Sequence, residues 1–270
     1  MEKLNRIEKL KVKLHPISYP LEEFLKSSKE PTKEDEFFLK NFGIYYSPLR
    51  ENRYMIRLRV DGGRIDISWL EVIIEILEKF KINAIATARS QIELHNIKRE
   101  NLLEIYSILQ KNNLTSYQTL TDNIRAIITD PLDGFTKSSY FEAFEIIKEI
   151  SKEIIKNPDL FGMLPRKFNC AIIAQEDVLF NFWNNDLLFA IAKKDGKIGF
   201  NLYGGGKFNE SAKSLNIFIP KEMAKELFFK IIYYYLEYGS RGTRSKNRFY
   251  FLLEKINFNL KEELQKKFNL

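Results

Sequence analysis

The chain has 270 residues, 44% hydrophobic and 14% aromatic, enough to bury a real core in one large domain or two smaller ones. Its 43 Lys and Arg against 36 Asp and Glu give a formal charge of +7, a mild excess that suits an acidic partner, a polyanionic cofactor or a nucleic acid and selects none of them. One cysteine, Cys170, excludes an internal disulfide and an all-cysteine metal or cluster site, the histidines His15 and His95 come without a G-x-S-x-G turn, and no apolar run reaches the length of a membrane span.

Residues 1–34 are rich in Lys, Glu, Pro and Ser without sustained periodicity, and read as an extended or partly helical arm, the compact part starting near Asp35. Met1 to Lys11 alternates charge where a signal peptide would be apolar, so a cytoplasmic location is expected. From Tyr54 to Val60 the side chains alternate, predicting a strand with Ile56, Leu58 and Val60 on one face and Met55, Arg57 and Arg59 on the other. A capping box at Ser68 to Glu71 predicts a helix running to Phe80. Asn83 to Ala88 reads as a second strand, and Gln91 to His95 as a third that places Gln91, Glu93 and His95 on one polar face. A helix over Arg99 to Lys111 and a fourth extended segment over Ser116 to Thr121 complete a β-α-β-β-α-β order of the ferredoxin-like kind.

Beyond it come a helix from Tyr140 to Lys156 and strands near Lys167 to Ile173, Leu187 to Ala192 and Ile198 to Tyr203. Gly204-Gly205-Gly206 follows, then helices over Lys221 to Glu237, Thr243 to Lys255 and Leu260 to Phe268. The fold class is α+β, with no internal repeat and no low-complexity linker.

Two readings of the polar sheet face stand side by side. Arg57 and Arg59, with Arg89 and Arg125 just past neighbouring turns, either face water on a half-solvated sheet or form an anion site suited to carboxylates and oxyanions. Lys167 and Asn169 share one face of their strand, while Phe168 and Cys170 share the other, where the cysteine reads as a small core residue. His95 alone reads as a structural histidine, and the glycine triplet as a flexible turn or as a close backbone approach to an anion.

In order, Tyr54-Met55-Ile56-Arg57-Leu58-Arg59-Val60-Asp61-Gly62-Gly63, Thr87-Ala88-Arg89 through His95, Thr121-Asp122-Asn123-Ile124-Arg125, Leu164 to Asn169, Gly199-Phe200-Asn201 leading into Gly204-Gly205-Gly206, and Gly239-Ser240-Arg241 with Arg244 and Lys246 resemble the sirohaem-dependent nitrite and sulfite reductase haemoprotein family. The resemblance implies a ferredoxin-like half-domain at residues 35–118 and an α/β haemoprotein-like domain at residues 119–270. It implies that Arg57, Arg125 and Lys167 contact the substrate oxyanion, and that Asn169, standing where sulfite reductases carry a further lysine, tilts the site toward nitrite. Sirohaem is rimmed with carboxylates, and Arg89, Arg166 and Lys246, together with Arg248, are suited to them. Thr87, Glu93, His95, Asn123 and the amides of Gly204, Gly205 and Gly206 line up with cofactor-contacting positions. The chain departs from the pattern at Ala88, Ser90 and Glu93, whose carboxylate needs a partner beside such a ligand, and in length, which matches the amino-terminal half only.

The reading is therefore an oxidoreductase component that supplies the basic wall for six-electron reduction of nitrite or sulfite. It holds no metal through its own ligand set; a 4Fe-4S cluster comes only through a cluster-bearing partner chain or second half, and the electron donor stays open. The alternative is a non-catalytic tetrapyrrole-binding remnant; a single-strand nucleic-acid binder is a weaker third, and no membrane or nucleic-acid partner is expected. Two geometric expectations follow: Arg57, Arg89, Arg125 and Lys167 converge where the two domains meet, and Cys170 is buried beside Phe168.

Overall fold

The computed structural model describes residues 3–49 and 53–268. Its first sheet is antiparallel and contains β1 (Ile44–Ser47), β2 (Arg53–Leu58), β3 (Asn83–Ala86) and β4 (Ile92–Ile97), in the spatial order β1-β2-β4-β3. Helix α4 (Ile67–Phe80) joins β2 to β3 and α5 (Arg99–Lys111) follows β4, so the first five of the six expected ferredoxin-like elements are present in their expected order. The fourth strand is not where the periodicity placed it. Ser116 to Thr121 forms turns and bends instead, with left-handed backbone at Gln118 and Thr121, and the edge beside β2 is occupied by β1, which precedes it in the chain. The polar side chains of the 116–121 segment bond to nearby backbone, Ser116 Oγ to Phe42 O at 2.6 Å and Gln118 Nε2 to Ile154 O at 3.1 Å, an alternative to a strand ladder.

The described part of residues 1–34 is partly helical, as one of the two expectations has it, and is packed against the first core rather than extended. Within the described part, α1 (Arg6–Lys13), a 3-10 turn at Pro16–Ser18 and α2 (Leu21–Lys26) lead into α3 (Lys33–Asn41), and Leu10, Tyr19 and Leu25 are buried in the same core as Ile56 and Leu94. Side-chain caps rather than long apolar stripes start α1 and α3. The Asn5 side chain accepts from the Ile7 and Glu8 amides, and Thr32 and Asp35 form a reciprocal capping box. Conversely, the box read at Ser68 is not used: α4 begins at Ile67 with Asp66 at its N-cap, which puts Ser68 inside the first turn.

The second sheet runs β5 (Cys170–Ile173), β6 (Leu187–Lys194), β7 (Lys197–Gly204) and β8 (Lys213–Pro220), with β5 and β6 parallel and the remaining pairs antiparallel. β8 is not among the expected strands, although Leu215, Ile217 and Ile219 alternate along it on the buried face. The strand expected from Lys167 starts only at Cys170, although Phe168 bridges Ile124 just before it. Helices α6 (Ala143–Lys156) and α7 (Ala224–Tyr238) pack on this sheet, and α6 buries Ile147, Ile150 and Ile154 at helical spacing. The helix expected over Thr243 to Lys255 divides into a 3-10 turn at Arg244–Lys246 and α8 (Phe249–Lys255), followed by α9 (Leu260–Phe268) as expected. Phe168, Phe189, Phe200, Phe228 and Phe249 fill this second core. Cys170 is buried among them, and burial pushes its thiol pKa up, which makes it inert packing.

Candidate functional site

The site lies where the two sheets approach each other. Arg57 on β2 stands opposite Glu93 on β4, and its Nε donates to Glu93 Oε1 at 2.8 Å. His95, two residues along the same face, meets the other carboxylate oxygen at 2.8 Å. Burial opposes the charge on Glu93, yet the hydrogen bonds from His95 and Arg57 hold its carboxyl below the ordinary range. The chain's awkward glutamate is thus ionised and offset.

Arg59 does not share this role. β2 ends at Leu58, the chain turns, and the Arg59 side chain runs inward, 2% exposed, to Asp61 at 3.1 Å and the Ile124 carbonyl at 3.0 Å. Gln91 is likewise buried, and its amide pairs both backbone groups of Val60. These two belong to the scaffold.

Between β3 and β4, Thr87 Oγ1 accepts from the amides of Arg89 and Gln91 at 3.3 and 3.1 Å, fixing a tight turn. That turn aims Arg89 across to Asn185 Oδ1 at 2.7 Å and the Ala126 carbonyl at 3.2 Å. Arg125 is tied by its amide to the Phe168 carbonyl at 2.9 Å, and its guanidinium donates to the carbonyls of Thr119 and, at 3.1 Å, Thr121, while its Nε is buried with no partner. Lys167 and Asn169 flank Phe168 on the extended segment leading into β5. Asp186, fully buried, accepts from the Asn169 amide at 2.8 Å and from Arg248 at 2.9 Å, which fixes that segment.

Arg57, Arg89, Arg125, Lys167 and Asn169 line one cavity of about 210 Å³, together with Thr87, Gln91 and Thr119. The expected convergence of the four cations is what the structure contains. Arg57 also lines a neighbouring cavity of about 390 Å³, with Glu93, His95, Tyr45 and Tyr54. Glu93 offsets Arg57, but Arg89, Arg125 and Lys167 have no carboxylate within ion-pair distance among the described residues. Burial, reinforced by Arg248 and Arg125, pushes the Lys167 pKa down to about 8. Burial and the neighbouring guanidiniums likewise bring Arg125 to about 9 and Arg89 to about 10, so both stay charged at neutral pH.

Other expected site residues lie apart from this cavity. Asn123 is fully buried and spends its amide on Asn41 at 2.9 Å, Leu120 at 2.8 Å and the Gly162 amide at 2.7 Å, a structural use. Arg166 is half-buried, 3.7 Å from Asp122, and Lys246 is exposed. The glycine triplet serves packing: Gly205 N donates to the Asp186 carbonyl at 2.9 Å, and a Cβ on Gly206 would fall 2.3 Å from two carbonyl oxygens. Asp186 and Asn185 were not read from the sequence. The one available signal is a carboxylate abutting an apolar strand, Asp186 before Leu187 to Ile191, which has to find a donor.

Residues 47–112 match the nitrite/sulfite reductase ferredoxin-like half domain and residues 120–269 the nitrite and sulphite reductase 4Fe-4S domain. A ferredoxin–nitrite reductase of Synechococcus elongatus is 30% identical over 94% of this chain and 52% of its own length; that of Leptolyngbya laminosa is 29% identical over 93% and 52%. A sulfite reductase [ferredoxin] of Mycolicibacterium paratuberculosis is 30% identical over 76% of this chain. The solved structure of Mycobacterium tuberculosis NirA shares the fold, with a TM-score of 0.86 over 99% of this chain and 53% of its own, at 24% identity. The chain spans about half the length of the curated nitrite reductases it matches.

Proposed function

The chain belongs to the nitrite and sulphite reductase family, and from that premise we propose that it forms the oxyanion-binding and sirohaem-binding wall of a reductase that takes nitrite to ammonia or sulfite to sulfide. The observation that carries this reading is the cavity in which Arg89, Arg125 and Lys167 converge with Arg57 and lack their own carboxylates. Assembling such charge costs folding free energy unless an anion offsets it.

The donor set fits sirohaem. Arg89 inside the cavity, with Arg166 and the exposed Lys246 beyond it, would hold its carboxylates, and a buried Arg125 Nε without a partner leaves donor capacity unused. When bound, the macrocycle would pass electrons from an external donor to the oxyanion. A 4Fe-4S cluster does not fit this chain, whose one cysteine is buried in the core and which has no group of three metal-ligating side chains among the described residues. Its ligands would belong to another polypeptide or a second half.

The residues' own parts are binding and proton supply. Arg57 and Arg125 hold the oxyanion's oxygens by charge and hydrogen bonds. Lys167, with its pKa near 8, can release a proton at neutral pH more readily than an ordinary lysine. Asn169 adds a neutral donor where a second ammonium would favour the more highly charged sulfite, so nitrite is the preferred substrate.

The test is a titration of sirohaem into the purified chain, followed by visible absorption and then by addition of nitrite. Saturation near one sirohaem per chain and a nitrite-dependent spectral change are expected, and Arg89→Gln should weaken sirohaem binding. Absence of saturable binding would remove the reading. The single cysteine favours one second reading, a tetrapyrrole-binding remnant, which sirohaem binding without any nitrite response would select.

A further inference from the structure

Of the four cations lining the cavity of about 210 Å³, Arg57 alone forms an ion pair with a carboxylate among the described residues, and that carboxylate is Glu93. Asp122 bears on Arg125, and Asp186 on Arg89 and Lys167, only from further away, and both are paired elsewhere, Asp122 with Lys11 and Arg244 and Asp186 with Arg248. Glu93 is also a position at which the chain departs from the family pattern.

Two neighbours fix this carboxylate. Arg57 and Glu93 are directly opposed across β2 and β4, so their side chains leave the same face of the sheet. Arg57 Nε and Nη2 both donate to Glu93 Oε1, the former at 2.8 Å, and the His95 ring meets Oε2 at 2.8 Å. With one oxygen held by the guanidinium and the other by the imidazole, the carboxylate cannot turn away without losing a contact. The Glu93 and His95 side chains are 12% and 14% exposed, so water and salt screen this charge less than they would on an open surface.

The pair stands at the boundary of two cavities. Glu93 and His95 line the one of about 390 Å³ and not the smaller one, whereas Arg57 lines both. Arg57 therefore gives its Nε and Nη2 edge to Glu93, and Nη1, which makes no hydrogen bond among the described residues, is left for a ligand. An anion that reaches Nη1 meets a guanidinium whose charge is already offset, with a carboxylate behind it. At a given distance that carboxylate repels a dianion twice as strongly as a monoanion.

We propose that Glu93 is a specificity-determining residue of the oxyanion site: by offsetting Arg57 it lowers the positive charge that the cavity presents, and so favours a monoanion over a dianion. The inference rests on the oxyanion reading and narrows it to a charge class, monoanionic oxyanions of the nitrite kind. Glu93 acts through Arg57, which it also holds in one orientation. Its route differs from that of Asn169, which withholds a cation where Glu93 neutralises one.

The test is titration of the full chain at pH 7 and fixed ionic strength, without added sirohaem, with nitrite as monoanion and sulfate as dianion, followed by the arginine side-chain NMR signals. Glu93→Gln keeps the size and an oxygen acceptor for Arg57 and removes the charge. With the guanidinium standing between them, Glu93 and the anion are about 7 Å apart, two hydrogen-bond lengths and the width of the group. At a solvent-like dielectric, loss of that charge should tighten nitrite binding about threefold and sulfate binding about ninefold, the square. Ile85, 46% exposed and directly opposite Glu93 on β3, gives a second variant that leaves the ion pair intact, for the case in which Glu93→Gln does not fold. Ile85→Lys sets an ammonium beside the carboxylate and should raise the sulfate-to-nitrite affinity ratio by a smaller factor. Binding of both anions with that ratio unchanged in the variants would overturn the inference and leave the oxyanion reading standing; a wild type that binds neither anion would remove both.

Discussion

Asp122 ties the amino-terminal helix to the second domain, and its removal has a calculable consequence. The carboxylate is fully buried, and it receives Lys11 at 2.9 Å, both ends of the Arg244 guanidinium at 2.9 and 2.7 Å, and Arg166 at 3.7 Å. Asp122→Asn keeps the size and removes the charge. Lys11, 1% exposed, then keeps the Leu164 carbonyl at 2.7 Å but as a countercharge only Glu8, which it already shares with Arg241. Breaking a buried pair in this way costs about 3–5 kcal/mol, a large part of the 5–15 kcal/mol that holds a domain folded. Lys11→Met should cost less, because Arg244 still neutralises Asp122 and the methylene packing is retained. Although burial opposes its charge, Lys11 and Arg244 hold the Asp122 carboxyl below its ordinary pKa. A depressed carboxylate contributes stability that is present above its unfolded pKa of about 3.9 and lost as pH falls through the folded value. The gap between wild type and Asp122→Asn should therefore be full at pH 7 and narrow in acid. Urea unfolding followed by circular dichroism measures it; a loss under about 1 kcal/mol at pH 7 would refute the account of this network.

Two further outcomes follow from the geometry. Asn169→Lys should shift the ratio of nitrite to sulfite turnover, as kcat/KM, toward sulfite in the partnered enzyme, since a charge pair near 4 Å is worth about 4 kcal/mol at an effective dielectric of 20 before desolvation is subtracted; an unchanged ratio would mean that Asn169 does not meet the oxyanion. Gly206→Ala should lower thermal stability by about 2 kcal/mol or more, because its Cβ would sit 2.3 Å from the carbonyl oxygens of Asn185 and Trp183, and a variant melting with wild type would show that the turn relaxes freely.

Where local pattern and tertiary packing agree, the sequence was legible. α5 and α9 begin and end where their periodicity places them, and β6 and β7 differ from expectation by a residue or two at their ends. The failures share a cause. α1, α2 and α3 are short and charge-rich, and caps on α1 and α3 and a few buried side chains, Leu10, Leu25, Phe37 and Phe38 among them, hold them where apolar stripes are too brief to read. β1 has only four residues and owes its place to pairing with β2. Arg59 alternates with Arg57 on paper, but the strand stops between them, so one arginine lines the cavity and the other is buried behind it.

The site divides in the same way. Arg57, Lys167 and Asn169 follow from alternation and resemblance, and Arg89 and Arg125 from their place beside turns. The groups that aim them, Glu93 for Arg57, Asn185 for Arg89 and Asp186 for the Asn169 backbone, make contacts 17 to 96 residues away in the chain. No local spacing encodes such partners.

The central claim is that the cavity's cations bind an oxyanion, and the most direct measurement is the dissociation constant for nitrite of the sirohaem-loaded chain as a function of pH, in wild type and Lys167→Met. Lys167 is charged below its pKa of about 8 and neutral above it, so wild-type affinity should fall as pH rises through that value, while Lys167→Met should bind nitrite more weakly at pH 7 and lose the pH dependence. Equal affinity in the two proteins, with the same pH profile, would contradict the assignment of this cavity as the oxyanion site.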